Sequence, residues 1–517
     1  MPTAYEIGPF RLDTEAEMLF RGTEVVSIGQ RAVGLLCALV KRAGAPVTKE
    51  ALIEAVWPGL VVEEANLTVQ ISALRRLFGQ EPGGEGWIET LPRRGYRFVG
   101  PVTATGSEGD ASDTPQPAGR PASQDRPSIA VLPFENLSAD PEQQYFADGM
   151  AEDLITDLSK ISGLRVLARN SSFAFKGEAV DMKDVAGRLG VKHILEGSVR
   201  KMGSKIRVNT QLIDAVDGSH TWAERYDGNL EDIFQFQDDI REQIVSALQV
   251  NLSRTDRLLV ERRSTESVRA YDLFLKGRAS YFRYTPEDHA AAKSYLEEAI
   301  ALDPEFADAY SFLSYWYTAA WNLLYPGFED GLERALPMAE KAVSLDPDSA
   351  IAHMRLGWTL CFMRQFDQAL SCFEKAVVLG PDIAEVCSYY GMFLNYIGRP
   401  EEGLQMIDTA YRLEPIAPAI WELQAGYSYW ELERYDDAVV QFRKVIDRVP
   451  GFPMTYMFLA SVYVELGRFD DAKEQLQTLR AINPMWSVRN ADRIFPIASD
   501  DKRKRFLGHL RESGLPE

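Results

Sequence analysis

Residues 63–100 read EEANLTVQISALRRLFGQEPGGEGWIETLPRRGYRFVG, and this stretch decides the architecture of the N-terminal end of the chain. Across 63–78, at 100° per residue, Leu67, Ile71, Leu74 and Phe78 share one helix face, which must look into a core. The opposite arc carries Asn66, Val69, Ser72, Ala73 and Arg76, with Thr68 and Arg75 at its edge. Downstream, two short strand-like runs surround Pro92-Arg93-Arg94-Gly95, a hairpin turn. Upstream, 30–42 and 49–56 read as two more helices, the second capped by Thr48, and 5–27 alternates in short runs that suit a small antiparallel sheet. Sheet, three helices and terminal hairpin make a winged helix-turn-helix, an α+β fold.

Small and hydrogen-bonding side chains with two arginines are what a helix in the DNA major groove needs. Asn pairs with adenine, Arg with guanine or phosphate, and Val touches a thymine methyl. Arg93, Arg94 and Arg97 would place positive charge on the hairpin, where it neutralises phosphates without reading sequence. The plainer alternative makes these arginines a solvated face and the chain a repeat scaffold or adaptor whose winged helix contacts protein.

The segments SALRRLFG (72–79) and WIETLPRRGYRFVG (87–100) resemble the OmpR/PhoB-type winged-helix family, over most of residues 5–102. The resemblance implies that the third helix reads bases, that the hairpin touches the minor groove and backbone, and that the loop 58–62 contacts RNA polymerase. It places Arg75, Thr90 and Tyr96 at phosphate-contacting positions. Ser72 and Ala73 stand where the family is often basic, and Pro92 replaces a common wing arginine, so the family's operators do not carry over.

The chain has 517 residues, which at roughly 150 per domain implies about three domains or a repeat array. Its 46% apolar and 26% charged residues are those of a folding, soluble protein, and its net charge of −20 opposes binding to nucleic acid or anionic membrane except through a local patch. Residues 103–126, rich in Pro, Gly, Ser and Asp, read as a flexible linker. Before it stand 11 Lys+Arg and 12 Asp+Glu, leaving 45 against 64, net −19, for everything from residue 103 onward. Cys37, Cys361, Cys372 and Cys387 form no C-x-x-C pair, which excludes a disulfide framework and implies a reducing compartment. With no basic-then-apolar N-terminus and no apolar run longer than about residues 35–40, the chain reads as cytoplasmic, with no membrane contact.

Prolines at 304, 347, 381, 415, 450 and 484 recur at steps of 43, 34, 34, 35 and 34. Back from Pro381 lie Leu356, Gly357, Leu360, Ala369, Phe373 and Ala376. The same offsets from Pro450 give Ala425, Gly426, Tyr429, Ala438, Phe442 and Val445. Each unit is two helices crossing closely at the small residues, with Pro ending the second. This resembles the tetratricopeptide repeat, in six copies over 270–484. The long first step implies an insertion near 325–330, and 485–517 would form a polar cap.

Between linker and repeats, 127–255 reads as an α/β domain of mixed sheet: SIAVLPF (128–134) as a strand, then a helix carrying Met150, Leu154, Leu158 and Ile161. A second strand is expected at 165–168, a helix at 182–189, and a hairpin at 193–199 and 206–213 turning at Gly203-Ser204. The opening SIAVLPFENLSADPEQQYFADGMAEDL, with HILEGSVRK and GSHTWAERYD, resembles the TolB N-terminal, FlgO-like module, which implies a sensory or coupling role. The order of units resembles CadC-type regulators, with a polar connection in place of a membrane span.

The expected architecture is therefore a winged helix over 1–104, a linker over 105–126, the TolB-like domain over 127–255, an all-α repeat superhelix over 270–484 and a cap over 485–517. The five histidines, at 193, 220, 289, 353 and 509, lie in different units without ligand spacing, which excludes a metal site. No P-loop, dinucleotide fingerprint or nucleophile elbow is present, so no cofactor, catalytic residue or enzymatic activity is expected. The partners implied are double-stranded DNA, RNA polymerase, a protein or peptide in the repeat groove, and a second copy of the chain, because one winged helix makes few base contacts.

Overall fold

The computed structural model describes residues 4–13, 18–21, 24–25, 30–40, 47–56, 67, 70–71, 74–75, 77–78, 87–91, 95–105, 126–177, 182–283 and 285–517. They fall into two compact units, Met1–Pro121 and Ala122–Glu517.

In the first unit, strands β1 (Ala4–Ile7), β2 (Phe10–Asp13), β3 (Met18–Arg21) and β4 (Glu24–Val25) form an antiparallel meander. Helices α1 (Gln30–Val40) and α2 (Lys49–Val56) follow, with α3 helical at 67, 70–71, 74–75 and 77–78. Thr48 caps α2, its Oγ accepting from Ala51 N at 3.2 Å. Then come β5 (Ile88–Leu91) and β6 (Gly95–Phe98), paired antiparallel, and β7 (Thr103–Thr105), which joins the outer side of β1. The first residues of the expected linker are thus a sheet strand. Thr-Ala-Thr has too little apolar area to show in composition, yet β1 offers it an open edge of backbone donors and acceptors.

The second unit opens with a mixed sheet. Strand β8 (Ser128–Val131) lies parallel to both β10 (Arg165–Val166) and β11 (His193–Met202), and β9 (Glu135–Asn136) also pairs with β11. Strands β12 (Lys205–Asp214) and β13 (His220–Asn229) continue antiparallel beyond β11. Ile206, Val208, Thr210 and Leu212 are buried on one face of β12, as their alternation requires. Helices α4 (Gln144–Ser159), α5 (Arg169–Phe173), α6 (Met182–Leu189), α7 (Ile233–Ala247) and α8 (Arg254–Glu261) complete this part.

Six helix pairs follow: α9 (Val268–Tyr281) with α10 (Pro286–Leu302), α11 (Ala307–Asn322) with α12 (Gly331–Leu345), and α13 (Ala350–Phe362) with α14 (Phe366–Leu379). Next come α15 (Ala384–Tyr396) with α16 (Pro400–Leu413), α17 (Ala419–Glu431) with α18 (Tyr435–Arg448), and α19 (Pro453–Glu465) with α20 (Phe469–Ile482). The 43-residue step in the proline ladder is absorbed by a longer α11 and by the connection 323–330.

Two features tie this unit together. Helix α4 packs on α9 so closely that a Cβ at Gly149 would sit 2.7 Å from both Leu275 Cδ atoms. Across the junction Arg278 reaches Glu152 at 2.9 Å and Asp153 at 3.3 Å, and Tyr271 donates to Asp153. The chain after α20 does more than the polar cap expected of it. Helices α21 (Val488–Ile494) and α22 (Asp500–Glu512) bury Trp486, Phe495, Ile497, Phe506 and Leu510 and run back along the ends of earlier first helices. Arg364, just past α13, donates to the carbonyls of Asp492, Phe495 and Ile497 at 2.9, 3.1 and 3.4 Å. Ala498 N donates to Tyr396 O at 2.9 Å, Lys502 pairs with Glu431, and Ser461 meets His509 Nδ1 at 2.9 Å.

Candidate nucleic-acid interface

The face of α3 that its periodicity turns inward is fully in the core. Leu67, Ile71, Leu74 and Phe78 are each buried, and Phe78 sits among Phe10, Trp87 and Phe98, with ring centroids 5.6, 5.2 and 6.0 Å away. With that face fixed, the rotation of α3 about its axis is fixed too.

Arg75 locks α3 to the hairpin. Its Nε and Nη2 donate to Ile88 O at 3.1 and 2.7 Å, Nη2 also donates to Thr90 Oγ1 at 2.7 Å, and the guanidinium lies 6.0 Å from the centre of the Tyr96 ring. Three donors in a planar fork meeting one strand hold the helix and wing in one geometry. Tyr96 is 5% exposed, and its backbone exchanges hydrogen bonds of 2.8 and 2.9 Å with Val47, so it joins the wing to the stretch before α2.

Gly95 takes φ +96, and a Cβ there would collide with the Val47 carbonyl oxygen. The strand can therefore leave the turn and meet Val47 only with glycine at this position.

Arg97 donates to Glu89 Oε2 from Nε at 3.1 Å and from Nη2 at 2.6 Å, across directly opposed positions of the hairpin. Its charge is matched within the wing, so it adds no net positive charge there. Glu89, which sequence reasoning passed over, was legible as the residue facing Arg97 across the turn. Thr90 is exposed opposite Tyr96 and shares Arg75 with Ile88. The structure thus brings Arg75, Thr90 and Tyr96 together, while Arg97 pairs with Glu89 at the next position of the hairpin, on its other face. Asn66, Thr68, Val69, Ser72, Arg76, Arg93 and Arg94, and the loop 58–62, lie outside the described residues.

Among the described residues no group of His, Cys, Asp and Glu is placed to hold a metal ion, and no helix is long and apolar enough to cross a membrane. His289, its ring tilted against Trp316 with centroids 4.5 Å apart, is pushed down to about 4 by burial and stays neutral in the core.

Comparison with known proteins agrees with this geometry. Residues 22–98 match the family "Transcriptional regulatory protein, C terminal", 124–243 match "HilA/YgeH-like transcriptional regulator, second domain", and 429–489 match "Tetratricopeptide repeat". The chain is 24% identical over 493 residues to the transcriptional regulator HilA of Salmonella paratyphi A, covering 92% of this chain and 85% of that one. It is 28% identical over 143 residues to the transcriptional activator CadC of Escherichia coli, 26% of this chain and 28% of CadC. It is also 44% identical over 248 residues to putative adenylate cyclase 3 of Rhizobium meliloti, where the match spans 47% of this chain and 42% of the relative. A winged helix of the regulator type, a HilA-like second domain and tetratricopeptide repeats, in that order, give this chain the domain organisation of a CadC-like transcriptional regulator with repeats.

Proposed function

We propose that the first unit docks on promoter DNA with α3 in the major groove, and that the second unit receives a signal or a partner protein. In this reading Asn66, Thr68, Val69, Ser72 and Arg76 meet base edges, and Arg93 and Arg94 neutralise backbone phosphates. Thr90 and Tyr96 approach the backbone beside them. Arg75 serves chiefly as a positioning residue, and Arg97 as a cross-strand strut. The observation that carries the reading is the Arg75 fork between α3 and Ile88–Thr90, because a reading helix and a wing act on one duplex only when held as a block.

The same reading makes the protein cytoplasmic and without enzymatic activity. It has the loop 58–62 meeting RNA polymerase, a protein partner engaging the repeats, and two copies cooperating on DNA to supply enough base contacts. The internal pairing of Arg75 and Arg97 leaves Arg93 and Arg94 as the hairpin's remaining cations and gives the adaptor reading its best support. The double charge reversal Arg93→Glu, Arg94→Glu separates the two. Loss of promoter retention with the fold intact supports DNA binding, and unchanged regulation supports the adaptor.

A further inference from the structure

Strand β13 ends the mixed sheet on the far side of β12, and among the described residues no strand pairs beyond it. It runs ten residues, His220–Asn229, without a proline. Helix α7 covers one of its faces: the Tyr226 ring lies 5.5 Å from that of Phe236, and a Cβ at Gly228 would come within 2.8 Å of the same ring. Thr221, Ala223, Arg225 and Asp227, on the other face, are exposed.

The ladder fixes which backbone groups this edge offers. Leu230 N donates to Ser204 O at 2.7 Å, one step beyond the pairing of Asn229 with Lys205. Antiparallel strands exchange hydrogen bonds at every second pair, so Trp222, Glu224, Tyr226 and Gly228 bond to β12, and Ala223, Arg225, Asp227 and Asn229 turn N–H and C=O outward. Asn229 N is taken by Asp232 Oδ2 at 2.7 Å. Ala223, Arg225 and Asp227 each keep an outward donor and an outward acceptor.

A long edge of open backbone groups recruits another strand unless something deters it, and charge is the usual deterrent. Here Asp227 is held by Arg225 at 2.8 Å and by Arg207 of β12 at 2.5 Å, and the order of these charges is complementary to itself. Two copies of β13 related by a two-fold axis through Tyr226 set Arg225 of each opposite Asp227 of the other. Both positions face outward, so they are also the pairs that exchange hydrogen bonds. Neighbouring registers lack this match: an axis through Glu224, Arg225 or Asp227 opposes that charge to its own copy, and an axis through Ala223 gives Arg225 only Thr221.

We propose that β13 is a dimerisation edge, which joins two copies of this chain antiparallel into one continuous sheet in the register centred on Tyr226. A foreign strand would have to reproduce the alternation of charge that a second copy supplies by symmetry. The inference rests on the reading in which two copies act together on DNA and names the surface that joins them. Its test is made without DNA, so either can fail alone.

In sedimentation equilibrium at about 50 μM, the full chain should show twice the mass of one chain and dissociate on dilution. Ala223→Pro removes an outward N–H and no bond to β12, and should weaken the dimer at least about tenfold. Arg225→Asp alone and Asp227→Arg alone oppose like charges across the seam and should weaken it as much. An equimolar mixture of those two variants should dimerise again, because every Arg225 and Asp227 position then meets the opposite charge. In the wild-type chain the amides of 223–227 should exchange more slowly as the protein associates, a readout that needs no variant. A monomeric wild-type chain at that concentration, a dimer indifferent to Ala223→Pro and Arg225→Asp, or a dimer whose 223–227 amides exchange as fast as the monomer's would each overturn the edge. A mixture of folded charge variants that stays monomeric would overturn the register.

Discussion

The guanidinium of Arg75 holds three hydrogen bonds to the first strand of the wing, so its loss acts on the rigidity of the head before it acts on any phosphate. Arg75→Ala should cost the first unit about 1–3 kcal/mol, read from chemical denaturation, and Arg75→Lys should recover little because an ammonium cannot reproduce the fork. Gly95→Ala is expected to be worse, since it combines a left-handed φ of +96 with a collision against Val47 O; a lower melting temperature of the first unit checks it. In the second unit Glu414 accepts from Ser171 N at 2.9 Å and is pushed up to about 7 by burial, with the Glu385 charge adding to the effect. The fold therefore favours its protonated form. That stabilisation is complete below the ordinary value of 4.5 and is lost as pH rises through about 7. Glu414→Gln, which keeps an acceptor for Ser171, should flatten the fall in stability over that window and leave the chain more stable at pH 8.

Elements differ in how plainly the sequence announces them. The face of α3, the turn at Gly203-Ser204 and the repeat pairs were legible because each rests on a period or a turn residue. Strand β13 was not. His220–Asn229 is largely exposed along its length, so no alternation of apolar residues marks it, and it is a strand because β12 offers it a ladder. The C-terminal segment was misread in character for a related reason: Lys502, Arg503 and Arg505 dominate its composition, while Phe506, Leu507 and Leu510 do its packing. The candidate site showed the same limit. Spacing put Arg75 at the edge of the reading arc, but only the fold reveals that it spends its donors on Ile88 and Thr90. Phe506→Ala should cost about 3–5 kcal/mol through the cavity left among Trp430, Phe458 and Phe495. At the α4–α9 junction, Arg278→Ala should cost about as much by leaving buried Asp153 without its cation, while Arg169 still pairs with Glu152. Hydrogen exchange should then rise first in α4 and α9, and a change confined to the last repeat would contradict that assignment.

At the scale of the molecule, a head with 11 Lys+Arg and 12 Asp+Glu must hold DNA while attached to a body of net −19. Global charge cannot supply the attraction, so it has to come from a few placed cations and from groove contacts. Lowering ionic strength strengthens both the attraction of the wing for phosphate and the repulsion by the body, and the short-range attraction should win at contact. The most direct measurement is the retention of genomic fragments by the full chain across a salt series, beside the Arg93→Glu, Arg94→Glu variant. The account predicts selective retention at low salt, with log affinity falling linearly with log salt at a slope of about −0.9 for each phosphate engaged, and a shallower slope in the variant. No retention at any ionic strength, or affinity indifferent to salt and to the two arginines, would contradict it.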